Sequence, residues 1–258
     1  MDYSQNNYWK KRKNDILIEQ SCANFVDKYW FKKLMLPLRY ERVVVIDEET
    51  KERQLKGEDV VLYKWNTPVF IIDEKAKVQN GYLNKVISHP SFEILCRNQY
   101  GTSHFESWLV SPNSTTTHYA MISVASDKDV PKGEEHCLSE KDLTCMVYGL
   151  IDKKKLIETV EHETGKTMKE ITDDAWQLLS DIKDGNRTRD ELTIDYISDK
   201  NRIVYLKCSI DKNEQPVNLV CRRDWLRKNK LIDEIYIDRE KVRKFKPTGT
   251  DKLEYSLI

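Results

Sequence analysis

Two short apolar runs, Val60-Val61-Leu62-Tyr63 and Val69-Phe70-Ile71-Ile72, lie on either side of Asn66-Thr67-Pro68. Each run has the length of a strand, and the three residues between them carry turn chemistry, so the pattern predicts a hairpin. Upstream, Ile18, Cys22, Phe25, Val26, Tyr29 and Trp30 recur at helical spacing, which predicts a helix from Asn14 to about Met35, ended by Pro37. A strand is expected at 39–46 and a polar turn or hairpin tip at 47–53. Downstream, 81–90 reads as a loop or short helix. Strands are expected at Phe92–Cys96, Trp108–Val110 and His118–Val124, the second ended by Ser111-Pro112-Asn113. The second half alternates: a strand at Thr144–Ile151, a helix at Lys153–Thr164 closed by Gly165, and a helix at Thr172–Lys183 carrying Trp176, Leu178 and Leu179. Strands at 192–197, 203–210 and 217–221 and a helix at 222–230 complete the series. No repeat, low-complexity tract or Pro/Gly-rich linker interrupts it. One α/β domain with a mixed sheet, spanning 1–258, is the expected architecture.

The polar positions change the picture at the central hairpin. Asp59 opens its first strand, Asp73 closes its second, and Lys75 follows. Residues 73 and 75 of an extended strand share a face, and Glu74 points the other way. Two carboxylates and a lysine on adjacent strands suit one hard cation and a water oriented against a phosphodiester. Two further acids stand among apolar neighbours. Glu19 falls on the inward stripe of the first helix, where it is either a further ligand or a boundary residue paired with a lysine. Glu93 lies inside an apolar strand, and because an unpaired buried carboxylate is costly, it should be paired, at an edge or at a metal.

Lys+Arg and Asp+Glu both number 43, so the formal net charge is +0, and any nucleic-acid contact has to come from local patches. Arg222, Arg223, Arg227 and Lys228, with Lys230, form one basic cluster, and Lys241, Arg243, Lys244 and Lys246 another. Each reads as charged surface or as a phosphate-binding face. The same two readings apply to Lys10-Lys11-Arg12-Lys13. Trp225 reads as a core anchor, and His104 and His118 as structural or exposed. The 6 cysteines include no CxxC pair, which points to reduced thiols in a cytoplasmic protein. The N-terminal residues lack the apolar core of a signal peptide, and no apolar run approaches membrane-spanning length. Cys/His spacing for zinc, a glycine-rich phosphate loop and a serine-hydrolase elbow are all missing from the sequence.

The segment Gln54-Leu55-Lys56-Gly57-Glu58-Asp59, followed by Asp73-Glu74-Lys75, resembles the PD-(D/E)XK nuclease superfamily. Gln54, Gly57 and Asp59 fit a Q-x-x-G-x-D arrangement found in many members. Gly81-Tyr82-Leu83-Asn84 and Ser91-Phe92-Glu93-Ile94 are similar to uncharacterised bacterial and phage members, and the likeness covers 19–124. The resemblance implies a restriction-endonuclease-like α/β fold, with a mixed central sheet flanked by helices and a nuclease core at about 14–124. No role is assigned to 125–258. It also implies a Mg²⁺-dependent endonuclease acting on DNA, with Mn²⁺ able to substitute. Asp59, Asp73 and the backbone carbonyl of Glu74 would hold the ion, and Lys75 would act on the water. Gln54, Glu19, Glu93 and Lys77 are accessory candidates. In a second arrangement Asp73 is the first acid and Glu93 the second; position 95 is then Leu95, and Lys75 or Lys77 stands in for the lysine. A homodimer would place two sites on two strands. The alternative function is a nuclease-like fold kept as a binding or regulatory protein, for instance in phage or defence biology.

Overall fold

The computed structural model describes residues 17–45, 57–80, 86–97, 103–131, 137–188, 192–210, 215–247 and 253–257. Gln54, the basic leader at 10–13, the polar turn at 47–53 and the residues 81–84 lie outside them. The fold is α/β and clusters into two compact units. The first comprises 1–87, 117–151 and 232–258, and the second 88–116 and 152–231, so the chain passes between them four times. The stretch 14–124 is accordingly shared between both units.

The first unit is built on an eight-stranded mixed sheet. Its strands are β1 (Tyr40–Val44), β2 (Val60–Lys64), β3 (Thr67–Asn80), β6 (His118–Ser126), β7 (Leu143–Asp152), β11 (Ile232–Asp238), β12 (Val242–Pro247) and β13 (Leu253–Leu257), in that spatial order. β1, β2 and β3 form an antiparallel meander, and β3 runs parallel to β6. A parallel neighbour needs a long connection, and here that connection is the excursion 88–116 into the second unit.

Helix α1 begins α-helical at 17–26 and continues as a π-helix over Asp27–Met35. Its stripe of Cys22, Phe25, Val26 and Phe31 is buried against Val60 and Leu62 of β2, Ile72 of β3, Ala120, Ile122 and Val124 of β6, and Met146 and Tyr148 of β7. Alternate strand positions thus supply one core face, as the period of two requires. Pro37 does not stop the helix outright. It sits within a 3₁₀ turn, Leu36–Leu38, that ends at Arg39 in the left-handed region (φ 63).

The central hairpin differs from the sequence pattern in two ways. Its turn is Trp65-Asn66, not Asn66-Thr67-Pro68. Both residues have positive φ (56 and 61), as the twist-matched type I′ hairpin turn demands. The register shift at Leu62/Tyr63 then lets Pro68 lie within β3, because a bulge tolerates a residue without an N–H. β3 also continues to Asn80, so Asp73 lies inside the strand and does not close it.

The second unit carries a five-stranded antiparallel sheet ordered β5 (His104–Glu106), β4 (Ser91–Arg97), β10 (Val217–Cys221), β9 (Arg202–Cys208), β8 (Thr193–Ser198). β10 is central and buried at all five residues, which suits a sequence that is apolar everywhere except Asn218. Helix α2 (Lys153–Thr164) is capped by Asp152 and closed by Gly165 at φ 68. Helix α3 (Met168–Lys183) starts earlier than its apolar stripe, because Thr167 and Glu170 form a capping box. Trp176 on α3 is exposed rather than core. Residues 108–110 form a turn, with Val110 and Ser111 N–H donating to the Ser107 carbonyl, so the expected strand there is absent. Helix α4 is the short segment Arg223–Lys228.

Candidate active site on strands β2 and β3

Gly57, at φ 81, turns the chain into β2 in a conformation that disfavours any side chain. Asp59 follows, clamped by backbone on both sides: its N–H donates to the Ile72 carbonyl at 3.0 Å, and its carbonyl accepts from Val45 N–H at 2.8 Å. This register sets Asp59 beside the middle of β3. Its Oδ2 accepts from Glu74 N–H at 2.9 Å, and its carboxylate is hydrogen-bonded to the Asp73 side chain. Lys75 Nζ lies 3.1 Å from Asp73 Oδ1 on the same face of β3, where Asp73 is buried and Lys75 is about one-third open to solvent. The structure therefore brings Asp59, Asp73 and Lys75 together.

Burial pushes the Asp59 carboxyl above its usual range, and nearby Glu19 pushes it further up. Lys75, the Asp73 hydrogen bond and the Glu74 N–H pull it back without cancelling the effect of burial. The Asp59 and Asp73 carboxyls lie side by side because β2 and β3 are paired in the register that sets Val60 opposite Ile72. Carboxylate oxygens brought together in this way are the donor type a hard cation takes. Among the described residues, no group of three or more His, Cys, Asp and Glu side chains is arranged to hold a metal ion. The two aspartates fit an ion whose remaining ligands are backbone carbonyl and water, as Mg²⁺ commonly takes.

The other face of β3 is organised by Glu74. Its side chain is buried and accepts from Arg42 at 3.2 Å and from the Tyr148 hydroxyl at 3.0 Å. Arg42, itself buried, also donates to Asp27 at 2.9 Å. Burial opposes the Arg42 charge, but Glu74 and Asp27 outweigh it and hold its pKa above the ordinary value. Glu74 thus enters the site through its backbone only. Sequence reading missed Arg42 and Tyr148. The signal available was the charged residue Arg42 preceding Val43-Val44-Val45, on a strand whose core face needs a partner for Glu74.

The accessory candidates separate. Glu19 is exposed on α1, which corrects its inward placement, yet its charge reaches both Asp59 and Cys22. Lys77 is exposed farther along β3. Glu93 belongs to the second unit, on β4, where its carboxylate accepts from the Ser107 hydroxyl at 3.3 Å. Pairing, not metal binding, accounts for that acid. Of the basic cluster, Arg223 is buried, with its N–H donating to the Ser88 carbonyl, and is a core residue rather than a phosphate contact. Arg222 is paired with Asp224, Arg227 is half-buried and Lys228 is exposed. Trp225 is buried, as its place between charged residues predicted. No helix among the described residues is long and apolar enough to cross a membrane.

No family model, curated protein or solved structure matches the chain.

Proposed function

We propose that the chain is a metal-dependent nuclease that hydrolyses phosphodiester bonds, with DNA as its substrate and Asp59, Asp73 and Lys75 as its working residues. One observation carries the reading. A buried aspartate, Asp73, a half-buried one, Asp59, and a lysine, spaced as D…D-x-K, converge from adjacent strands of a mixed sheet, with Lys75 Nζ 3.1 Å from Asp73. A stabilising role alone would favour neutral or fully paired groups here, because burying two carboxyls side by side costs free energy.

Asp59, Asp73 and the backbone carbonyl of Glu74 would hold Mg²⁺, with Mn²⁺ able to replace it. When bound, the ion supplies Lewis acidity toward a phosphate oxygen and a lowered pKa for a coordinated water. The rest falls to the chain. Metal binding needs both carboxyls ionised, so occupancy rises with pH. Lys75 lies between the buried acid and solvent. There it orients the attacking water and offsets the negative charge that develops on the phosphate. Glu74 N–H fixes the Asp59 carboxylate, which leaves its other oxygen free to turn toward the ion.

The test is cleavage of plasmid and single-stranded DNA in Mg²⁺ or Mn²⁺ by the wild type and by Asp73→Asn, a substitution that keeps the side chain's shape. Activity in the wild type that falls to background in the variant supports the reading. A folded wild type that is inert on DNA and RNA with both ions, or an Asp73→Asn variant that cuts equally well, overturns it.

A further inference from the structure

The opposite end of the same hairpin carries a feature that the hydrolytic site does not use. Trp65, at the first position of the type I′ turn, is 64% exposed, the highest value among the large apolar side chains that stand open. The type I′ turn fixes the backbone that carries this ring. The Arg39 guanidinium lies 4.6 Å from its ring centroid, and Lys64 lies 4.8 Å from the ring of Tyr40, the residue paired with it across β1 and β2. Two cation–aromatic pairs therefore sit side by side at the sheet edge, with Leu36 and Leu38 exposed nearby on the 3₁₀ turn that leads into Arg39.

Arg39 and Lys64 are the cations that stand against aromatic rings at this end, while Glu41 follows Tyr40 on β1 and Lys28 on α1 is paired with Glu140. An exposed ring flanked by Arg39 and Lys64 complements a polyanion bearing flat apolar groups. Unpaired bases on a phosphate backbone have that chemistry, and stacking on aromatic side chains flanked by Arg and Lys is how single strands are bound without sequence preference.

We propose that Trp65, with Arg39 and Lys64, forms a stacking platform for an unpaired base of a single-stranded nucleic acid. This rests on the nuclease reading and deepens it, because it places the unpaired part of the substrate. From Asp59 to Trp65 is six residues of extended chain, or about 20 Å at roughly 3.3 Å per residue. The platform thus grips a strand several nucleotides away from the bond that is cut. The substrate class is a single strand or a duplex with a single-stranded extension, rather than an uninterrupted duplex.

The experiment is fluorescence anisotropy with labelled oligothymidylate in EDTA, where binding is read without cleavage. Wild type, Trp65→Ala and Trp65→Phe are compared on an intact oligonucleotide and on one carrying abasic positions. Removing a stacking aromatic is worth about 1–3 kcal/mol, so Trp65→Ala should weaken binding by roughly 5- to 150-fold, and Trp65→Phe by only a few-fold. The abasic substitution should weaken the wild type similarly and leave Trp65→Ala almost unchanged, because both remove the same contact. Equal binding by wild type and Trp65→Ala overturns the proposal. So does equal loss on blunt duplex and single strand, or loss by Trp65→Ala of binding to vesicles of anionic phospholipid with none on the oligonucleotide, which would make this a membrane contact. Trp65-dependent binding that persists in Asp73→Asn, together with an inert wild type, would uphold the platform and defeat only the hydrolytic reading.

Discussion

Replacing Arg42 with methionine tests the support beneath the site. Arg42 is the cationic partner of the buried Glu74 carboxylate among the described residues, and its second partner, Asp27, is about one-third exposed and can rehydrate. The penalty in Arg42→Met therefore falls on Glu74. Removing one member of a buried ion pair typically costs about 3–5 kcal/mol, because the remaining charge is stranded. Tyr148 still donates to Glu74 at 3.0 Å, a bond worth about 1 kcal/mol net, which places the expectation at the lower end, near 3 kcal/mol. With urea slopes of about 1–3 kcal/mol per molar, the midpoint should drop by roughly 1–3 M. Urea unfolding by near-ultraviolet circular dichroism reads this through the first unit, where Trp30 packs on Tyr148 at 5.2 Å between ring centroids. Adding Glu74→Gln to Arg42→Met removes the stranded charge and should recover more than half of the loss. A single-variant loss below about 1 kcal/mol, or no recovery in the double variant, would refute the claim that a desolvated Glu74 charge is what Arg42 sustains.

Two other outcomes follow from the same geometry. Because burial raises the Asp59 carboxyl above its ordinary 3.8, the folded chain holds more protons than the unfolded one above that pH. This group's contribution to stability therefore falls as pH rises from 3.8 through its folded value. Asp59→Asn should raise the Tm more at about pH 8 than at about pH 4 and should abolish stabilisation by Mg²⁺; calorimetry across that range checks both effects. In the hairpin turn, Asn66→Val places a β-branched residue at φ 61 and should cost about 1–2 kcal/mol in urea unfolding, whereas Asn66→Gly should change stability by no more than a few tenths.

Much of the local structure was legible because periodicity is a local property. The stripe through Cys22, Phe25 and Val26, the alternation in β2 and β3, and the glycine closing α2 each follow from neighbours in sequence. The association of Asp59, Asp73 and Lys75 was legible because 73 and 75 share a face of an extended strand and a hairpin sets its two strands side by side. What the pattern concealed depends on distant chain. Trp65 and Asn66 carry no glycine to announce a type I′ turn, and Pro68 lies in a strand only because a bulge accommodates it. Arg223 looked like surface among charged neighbours, but the backbone of Ser88 draws its segment into the core of the second unit. Strands β11 and β12 were missed because their apolar residues are interrupted by the charges between 233 and 246. Partition into two units left no trace in composition, because the crossings fall between or at the ends of ordinary strands and helices, and no Pro/Gly-rich linker marks them.

The three consecutive ionisable residues Asp73-Glu74-Lys75 show why such a site needs its reverse face. A strand sends the first and third to one side and the second to the other, so β3 carries buried acids on both faces. Left unsupported, Asp73 and Asp59 would move apart or drag the strand toward solvent, since each buried carboxyl is costly. Glu74 opposes this from behind: Arg42 and Tyr148 hold its side chain in the core, and its own N–H holds Asp59. The middle residue of the D-x-K triplet is therefore not a spacer here. It transmits the rigidity of the core, through one peptide unit, to the Asp59 carboxylate. On this argument, loss of Glu74 should loosen Asp59 before it unfolds the sheet, and its effect on cleavage should exceed its effect on stability.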